Sequence, residues 1–377
     1  MNLRRTWAVM RKEGLHILRD PRSLLMALAV PLMMLLLFGY GLTLDVDRIP
    51  TLIYDADKSP ASRELAAQFQ GSRFFQILGW VEEYRTIERR IDRDRCLLGV
   101  VIPRDYSRKL ASGQEAEVQL LLDGSDSNTA SIALGYANAL LRLYSMELRT
   151  KALDRKGGGK LKAPVEGRLR VWYNSELKSR NYIVPGLIAV IINIIAALLT
   201  SLTIAREWEM GTMEQLLSTP LRPAELVLGK LAAFFGLGLA DMLIAVLVGV
   251  FLFGVPLRGN PLFLALSGCI FLCAALSWGI LVSAFARSQL LAYQLGMLTS
   301  FLPALLLSGF VWSIENMPGV IQVITYIFPA RYVVTILKGV FLKGVGMHVL
   351  WVELAFLLAF VTIVFAAATR RVRRKVA

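Results

Sequence analysis

Long uncharged runs of mostly apolar residues alternate with charged segments along this chain. The first run, 23–44, has 22 residues without Lys, Arg, Asp or Glu, and a helix needs about 20 such residues to cross a bilayer. The later runs lie at 181–205, 226–255, 259–286, 288–314 and 347–369. Lys230 and Asp241 interrupt the run at 226–255, and Glu353 lies near the start of the last one. The pattern predicts a polytopic α-helical membrane protein with six transmembrane helices.

The segment 1–22 precedes the first run and differs from it. Apolar residues in 3–19 fall on one face of a helix, whereas the basic residues lie mostly elsewhere. This pattern is typical of an amphipathic helix that lies in the membrane interface. Asp20 and Pro21 predict its end, because the residue before a proline avoids helical backbone angles.

A charged block at 45–180 separates the first run from the second. Within it, stretches rich in β-branched and aromatic residues alternate with helical patterns. Strands are predicted at 49–54, 74–80, 97–102 and 118–123, and helices at 60–70, 82–92 and 127–155. This order predicts a small α/β domain inserted after the first span, followed by a flexible joint formed by Gly157–Gly159 and Lys160–Gly167.

The distribution of positive charge predicts the orientation of the spans. Residues 1–22 carry six Lys or Arg against two acids, and the tail 370–377 carries five and no acid. Because cytoplasmic segments are enriched in Lys and Arg, we expect both termini in the cytoplasm, as an even number of spans requires. The segment 206–225 then lies inside, and the α/β domain is extracytoplasmic.

The segment 312–346 does not fit a complete span. It is moderately apolar but broken by prolines and glycines, and a seventh span would put the basic tail outside. We therefore expect half-inserted helices on the outer side, since irregular backbone at membrane depth needs protein or water around it. The region predicted to hold spans three to six, 226–369, includes this segment.

The sequence argues against enzymatic chemistry and nucleic-acid binding in this chain. The net charge of +14 comes from anchors beside apolar runs rather than from a basic stripe with interleaved aromatic residues. No phosphate-binding loop is present, because Lys160 is followed by Leu161 where a hydroxyl is needed. Two histidines and three cysteines give no metal or catalytic constellation. Any ATP and Mg²⁺ would therefore bind a partner chain.

The inside loop 206–223 is the most informative stretch. Thr212 is expected to cap a short helix, and Pro220 with Pro223 is expected to end it. Acidic residues near its start suit the helix dipole. The pattern alone fits equally a rigid turn between two spans and a short helix that is presented to a cytoplasmic partner.

The order of several motifs resembles one family. The loop residues Glu207, Gly211, Thr212, Glu214, Leu217, Thr219 and Pro220, followed by Gly229 and Lys230, are similar to the cytoplasmic coupling segment of type-2 ABC exporter permeases. Lys12-Glu13, Arg19–Arg22, Met317-Pro318 and Pro329–Tyr332 resemble other segments of that family. Tyr54–Asp57 and Leu122–Asn128 resemble its subgroup with a large external domain between spans one and two.

The resemblance implies a mechanism. Two cytoplasmic ABC ATPase subunits would dock on the coupling segments of two permease chains, identical or sister, and would bind ATP and Mg²⁺. Coupling would depend on Glu207, Gly211, Thr212, Glu214 and Pro220. We expect an exporter of a lipophilic or amphipathic substrate (drug, lipid or glycolipid) in a bacterial inner membrane. Its other partners would be membrane lipids and a periplasmic adaptor for the external domain.

Asp241 lies about 15 residues into the third apolar run. A charge at that depth is costly unless it is paired or hydrated, so the side chain is a pathway candidate or a packing acid near Asn193 or Thr200. If functional, it also allows an ion-gradient-driven transporter. That alternative lacks sequence repeats, and a third class, a membrane receptor, lacks a cytoplasmic signalling domain.

Overall fold

The computed structural model describes residues 2–42, 48–155, 172–174, 178–286 and 288–376. The chain forms two compact units, one of Met1–Leu44 with Arg170–Ala377 and the other of Asp45–Leu169. The predicted joint at 157–167 lies outside the described residues.

The helices are numbered in chain order. They are α1 (Leu3–Arg19), α2 (Pro21–Gly41), α3 (Pro60–Gly71), α4 (Tyr84–Ile91), α5 (Tyr106–Ala111), α6 (Ser127–Arg155), α7 (Ser179–Glu209), α8 (Thr212–Leu217), α9 (Pro223–Leu247), α10 (Pro261–Phe285), α11 (Gln289–Leu306), α12 (Gly319–Thr325), α13 (Pro329–Lys338) and α14 (Met347–Val376). Two π-helical stretches continue α9 and α13, at Val248–Leu252 and Gly339–Lys343.

The smaller unit is built on a four-stranded sheet. Its strands are β1 (Ile49–Asp55), β2 (Phe75–Val81), β3 (Leu98–Ile102) and β4 (Gln119–Leu122), in the order β2-β1-β3-β4. The strand β1 pairs in parallel with β2 and β3, whereas β3 and β4 are antiparallel. Parallel neighbours need helical crossovers, and α3 and α4 supply them.

The predicted strands and the three predicted helices of this unit are confirmed, and α5 was missed. One apolar cluster joins the sheet to α3, α5 and α6, and includes Ile53, Phe69 and Ala137. A second, smaller cluster lies beneath α4 around Ile87. The unit is therefore an α/β fold with helices on both faces of the sheet.

The larger unit is a helix bundle. Among the described residues, six helices are long and apolar enough to cross a membrane, or seven if a bent pair counts as one span. The six are Leu24–Gly41, Ser179–Glu209, Pro223–Leu252, Pro261–Phe285, Gln289–Leu306 and Met347–Val372. The mostly helical fold with about six spans is that of a polytopic membrane protein.

The fifth span is shorter than its uncharged run, which extends to Ile314. The helix α11 ends at Leu306, and Gly309 adopts a left-handed backbone with φ of 77°. This conformation suits glycine because it has no Cβ. The helix therefore ends and the chain turns before the end of the apolar run. Length and composition alone do not predict the position of this turn.

The bent pair consists of α12 and α13 with its π-helical extension, at 88° to each other. Arg331 holds the corner, because its guanidinium donates to the carbonyl of Gln322 at 3.2 Å and to the hydroxyl of Thr325. The same group lies 3.6 Å from the ring centroid of Tyr326, a cation–π contact. The short helices expected within 312–346 are present.

The helix α7 is the centre of the bundle, and most of its residues are buried. It packs most closely on α10 where Gly279 faces Thr200 and Ala197. The Thr200 hydroxyl donates to the carbonyl of Leu276 at 3.0 Å, and the Ser283 hydroxyl accepts from the backbone of α7. Small and hydroxyl-bearing residues hold helices together in lipid, where apolar burial alone drives no association.

Replacing Gly279 by alanine is expected to destabilise the bundle. A Cβ at this position would lie 2.3 Å from the carbonyl oxygen of Ala197 and 2.1 Å from Oγ1 of Thr200, so α7 and α10 must separate. Overpacking of this kind costs about 1–3 kcal/mol. The measurement is the thermal unfolding midpoint of the purified full-length chain in detergent.

The matched control is Gly236→Ala in α9, where an added Cβ meets nothing within 4 Å. This change should leave the midpoint unchanged or raise it, because alanine is the better helix former. Equal midpoints for Gly279→Ala and Gly236→Ala would show that the α7–α10 approach is not a tight constraint.

Candidate coupling site

One end of the helix bundle joins segments that are far apart in sequence. The end of α7, the short helix α8, the start of α9 and the last turns of α10 and α14 share an apolar cluster with α1. Its buried members are Val9, Ile204, Met213, Leu226, Val227, Ile280, Ala284, Ala368 and Val372. The segment 206–223 therefore lies at the same end of the bundle as the N-terminal helix and the basic C-terminal helix.

The helix α1 lies against the first turns of α9. A Cβ at Gly229 would lie 2.6 Å from Cβ of Val9 and 2.9 Å from the carbonyl oxygen of Thr6. Only a glycine lets the two backbones approach this closely. This is the physical role of the glycine in the Gly229-Lys230 pair that the sequence singled out.

A buried ion cluster joins α1, α7 and α9 next to this contact. Nζ of Lys230 lies 2.9 Å from Oε1 of Glu13 and 3.0 Å from Oε1 of Glu207. Nζ of Lys12 lies 3.1 and 2.8 Å from the same two oxygens. Two ammonium groups and two carboxylates thus form a neutral set, which we name the four-charge cluster.

Three of the four members of the four-charge cluster are buried, and these three depend most on their partners. Lys230 is 1% exposed, Glu207 5% and Glu13 6%, whereas the side chain of Lys12 is 55% exposed. Removing one member of a buried ion pair leaves an uncompensated charge, which costs about 3–5 kcal/mol. The loss of Lys230 should therefore be far more costly than the loss of Lys12.

The cluster shifts the pKa of Glu13. Burial alone would raise this pKa, but the ammonium groups of Lys230 and Lys12 outweigh burial and hold it below the ordinary 4.5. A lowered folded-state pKa contributes stability that is complete above the unfolded-state value and is lost as pH falls through the folded-state value. The contribution of Glu13 is therefore complete at neutral pH and is lost as the pH falls below the ordinary pKa of 4.5.

Glu225 makes a second link between α1 and the coupling segment. Its carboxylate is buried and accepts from the backbone N–H of Asn2 at 2.6 Å and of Arg222 at 3.1 Å. Arg5 lies 4.0 Å from the same carboxylate and donates to the carbonyl of Pro220. The first residues of α1 are thereby fixed to the turn between α8 and α9.

The turn between α10 and α11 is joined to the same end. Nε of Arg206 donates to the side-chain oxygen of Gln289 at 3.3 Å, and Nη1 lies 3.0 Å from Nε2 of His16. The carboxylate of Glu209 accepts from the backbone N–H of Gln289 at 2.5 Å. The last turn of α7 thus contacts α1 on one side and the start of α11 on the other.

The five predicted coupling residues lie in this region but differ in accessibility. Glu207 is buried in the four-charge cluster, whereas Glu214 and Pro220 are exposed. The expectation that Thr212 caps α8 is wrong. The cap is Gly211, with φ of 71°, and Thr212 is the first helical residue, its hydroxyl donating to the carbonyl of Glu207 at 3.4 Å. The left-handed turn at Gly211 is what separates α8 from α7.

The sequence did not predict the contacts by which Glu13, Lys230 and Glu225 join α1 to the rest of the coupling site. The Lys12-Glu13 and Gly229-Lys230 pairs were noted as motifs, but nothing in their spacing indicated that they meet. A usable signal was present: Lys230 stands in an otherwise apolar run, and such a charge needs a partner of opposite sign.

Asp241 lies three helical turns beyond Lys230 in α9 and is not part of this site. It is 4% exposed, and neither carboxylate oxygen has a hydrogen-bond partner in the part of the chain that the structure describes. Asn193 donates instead to the carbonyl of Ser300 at 3.3 Å, and Thr200 bonds to backbone carbonyls. The hydrogen bond considered for the packing role of Asp241 is therefore not observed.

Lys230→Met is expected to lower the free energy of unfolding by about 3–5 kcal/mol. The change leaves two buried carboxylates with one half-exposed ammonium group between them. Lys12→Met is the matched control, because it removes a charge from the same carboxylates at a solvated position and should cost about 1 kcal/mol or less. Thermal unfolding of the purified chain in detergent measures both.

The double variant Lys230→Met with Glu13→Gln restores neutrality and should recover part of the lost stability. Equal effects of the two single lysine changes, or no recovery in the double variant, would contradict the four-charge cluster as the contact that holds α1 on the bundle.

Comparison with known proteins agrees with this architecture. Residues 22–370 match the family described as ABC-2 family transporter protein. The chain is 37% identical over 360 residues to the probable multidrug ABC transporter permease YbhS of Escherichia coli K12, covering 95% of this chain and 94% of that protein. It is 33% identical to the probable multidrug ABC transporter permease YbhR of the same organism, covering 99% of both.

A more distant similarity extends over most of the chain. The inner membrane transport permease YhhJ of Escherichia coli K12 is 27% identical over 338 residues, with 87% of this chain and 86% of that protein covered. The family match includes every span of the bundle and the inserted α/β unit. The chain therefore belongs to the ABC-2 transporter family and is a transport permease, with ATP hydrolysed by a separate subunit.

Proposed function

We propose that this permease exports a lipophilic or amphipathic compound across a bacterial inner membrane. The family implies a partner ATPase subunit and a dimeric assembly. YbhS and YbhR are both named multidrug permeases, which supports drugs as one substrate class beside lipids and glycolipids. The second permease chain is either an identical copy or a sister.

We propose that the cytoplasmic ATPase docks on the exposed side of α8. Met213 anchors the other side in the apolar cluster, while Met210, Glu214 and Gln215 are exposed. The ATPase would bind ATP and Mg²⁺, and its closure would push α8. The observation that carries this proposal is the four-charge cluster, because it makes α7, α9 and α1 respond together to a force on the short helix.

The same proposal assigns the two ends of the bundle to opposite sides of the membrane. The coupling end, with 1–22, 206–225 and the basic tail 370–377, would face the cytoplasm. The α/β unit within 45–180 and the bent helices within 312–346 would lie on the outer side. The inserted unit would then be available to a periplasmic adaptor, and α1 would lie against the lipids of the inner leaflet.

Asp241 remains a candidate for the substrate pathway. Its burial without a hydrogen-bond partner is the one observation that favours the alternative of transport driven by an ion gradient. Loss of transport on removal of the ATPase separates the two, because a gradient-driven carrier would continue to work.

Glu214→Ala is expected to reduce ATPase-driven transport and the recovery of ATPase on affinity purification of the permease in mild detergent. The side chain is exposed at the start of α8, so its removal should weaken docking several-fold without affecting membrane insertion. Mass spectrometry of the co-purifying chains measures the partner ratio. The control is Glu315→Ala, an exposed acid at the other end of the bundle.

Wild-type transport and wild-type ATPase recovery in the Glu214 variant would show that this residue is not part of the docking surface. Failure to recover any ATPase with the unmodified permease would count against the proposed docking of α8 itself.

Gln114→Cys should react with a membrane-impermeant thiol reagent added to intact cells, and Gln215→Cys should react only after permeabilisation. Both positions are exposed, so the reagent can reach a thiol at either one. A buried position of the α/β unit, such as Val100, would not report on orientation, because its side chain is inaccessible. The native cysteines Cys96, Cys269 and Cys273 are buried or partly buried, and the unmodified chain controls for them. The reverse labelling pattern would overturn the proposed orientation.

A further inference from the structure

A cavity of about 210 Å³ lies at the end of α7 opposite the four-charge cluster. Its walls are the first turn of α7, the preceding residues Tyr173, Asn174 and Lys178, and the loop at 254–258. Arg180 and Glu207 are 27 positions apart in one helix, which places the cavity about 40 Å from the coupling site.

The lining of the cavity is basic. Lys178, Arg180 and Arg258 contribute to it together with Asn174 and Asn181, and no acidic residue is among the described residues that line it. The guanidinium groups of Arg180 and Arg258 form no ion pair or side-chain hydrogen bond with any residue that the structure describes. Two arginines from separate segments thus line one concave site.

Both arginine-bearing walls are fixed by contacts of their own. On one wall, Asn181 donates to the side-chain oxygen of Asn174 at 2.9 Å, and Asn174 donates to the carbonyl of Lys178 at 3.0 Å. On the other, the backbone N–H of Arg258 donates to the carbonyl of Phe341 at 3.2 Å. The backbone that carries each arginine is therefore held in place without a ligand, which reduces the entropy cost of binding.

The chemistry of the site suits a phosphate group. Guanidinium groups bind phosphate oxygens through paired, charge-assisted hydrogen bonds. The cavity also opens beside the N-terminus of α7, where backbone N–H groups and the helix dipole favour an anion.

The surroundings of the site suit a lipid. Trp172 is 65% exposed and Tyr173 42% exposed, and such aromatic residues are enriched at the level of the lipid headgroups. Phe251 and Leu252, 80% and 52% exposed, lie just before the loop and offer an apolar surface to acyl chains.

We propose that this cavity binds the phosphate of an anionic lipid headgroup through Arg180 and Arg258. Free phosphate shares the recognised chemistry, but it would gain nothing from the neighbouring apolar surface. This function is separate from coupling, because it requires neither ATP nor the partner ATPase.

The test uses the purified full-length permease in neutral detergent, with bound lipid counted by native mass spectrometry. The probes are phosphatidylglycerol, diacylglycerol of the same acyl chains, and inorganic phosphate. Arg180→Gln with Arg258→Gln should weaken phosphatidylglycerol binding at one site per chain by about tenfold or more. Diacylglycerol binding should be the same in both proteins.

The charge-matched control is Arg89→Gln with Arg93→Gln, two exposed arginines of the α/β unit. It should bind phosphatidylglycerol as the unmodified chain does. Arg258→Lys keeps the charge but loses the planar guanidinium group, so this variant should bind phosphatidylglycerol with intermediate affinity. Because the change is conservative, an intermediate affinity could not be explained by misfolding, as a loss of binding by the double variant could.

Displacement of phosphatidylglycerol by inorganic phosphate would show that the site accepts the free anion, and the absence of displacement would identify the lipid as the ligand. The proposal is overturned if the double variant retains phosphatidylglycerol with unchanged affinity, or if the control pair loses it equally.

Discussion

The neutral four-charge cluster of Lys12, Glu13, Glu207 and Lys230 is the contact on which the coupling end depends. In a low-dielectric environment an isolated charge is costly, and the cost is offset only when partners of opposite sign lie at hydrogen-bond distance. Because the members come from three helices, neither α1 nor the start of α9 can move away from α7 without exposing an unpaired charge. The cluster therefore links α1, the end of α7 and the start of α9, so that these three segments move together.

Close approach of backbones supplies the second constraint. Gly229 admits α1 against α9, Gly279 admits α10 against α7, and Gly186 admits the ring of Phe310 against α7. In lipid, helices gain little from burying apolar surface, so association depends on van der Waals contact and hydrogen bonds at such points. At the coupling end, Gly229 brings α1 close enough to α9 for the charged groups of the four-charge cluster to meet.

Hydropathy and local patterns were sufficient for the number of spans and for the strands of the inserted unit, because both follow from residues adjacent in sequence. They did not predict the end of the fifth span at Leu306. They were insufficient for α5, since six residues are too few to show a helical period. They were also insufficient for Gly211, whose capping role depends on a backbone angle. The charge of Lys230 in an apolar run indicated that a partner was needed, but the identity of the partners could not be predicted, because residues 13, 207 and 230 meet only after the bundle has formed.

The positive charges at the two ends of the bundle have different physical tasks. At the coupling end, Lys230 is enclosed and its charge is neutralised within the chain, so it holds helices together and has no capacity left for an external anion. At the other end, Arg180 and Arg258 are exposed and line a cavity, so their guanidinium groups are not enclosed by the fold. A hydrated guanidinium can exchange water for an anion at low cost, whereas an enclosed ammonium cannot exchange its carboxylates without opening the fold. Enclosure, rather than charge alone, therefore distinguishes a residue that assembles the permease from one that can bind a ligand.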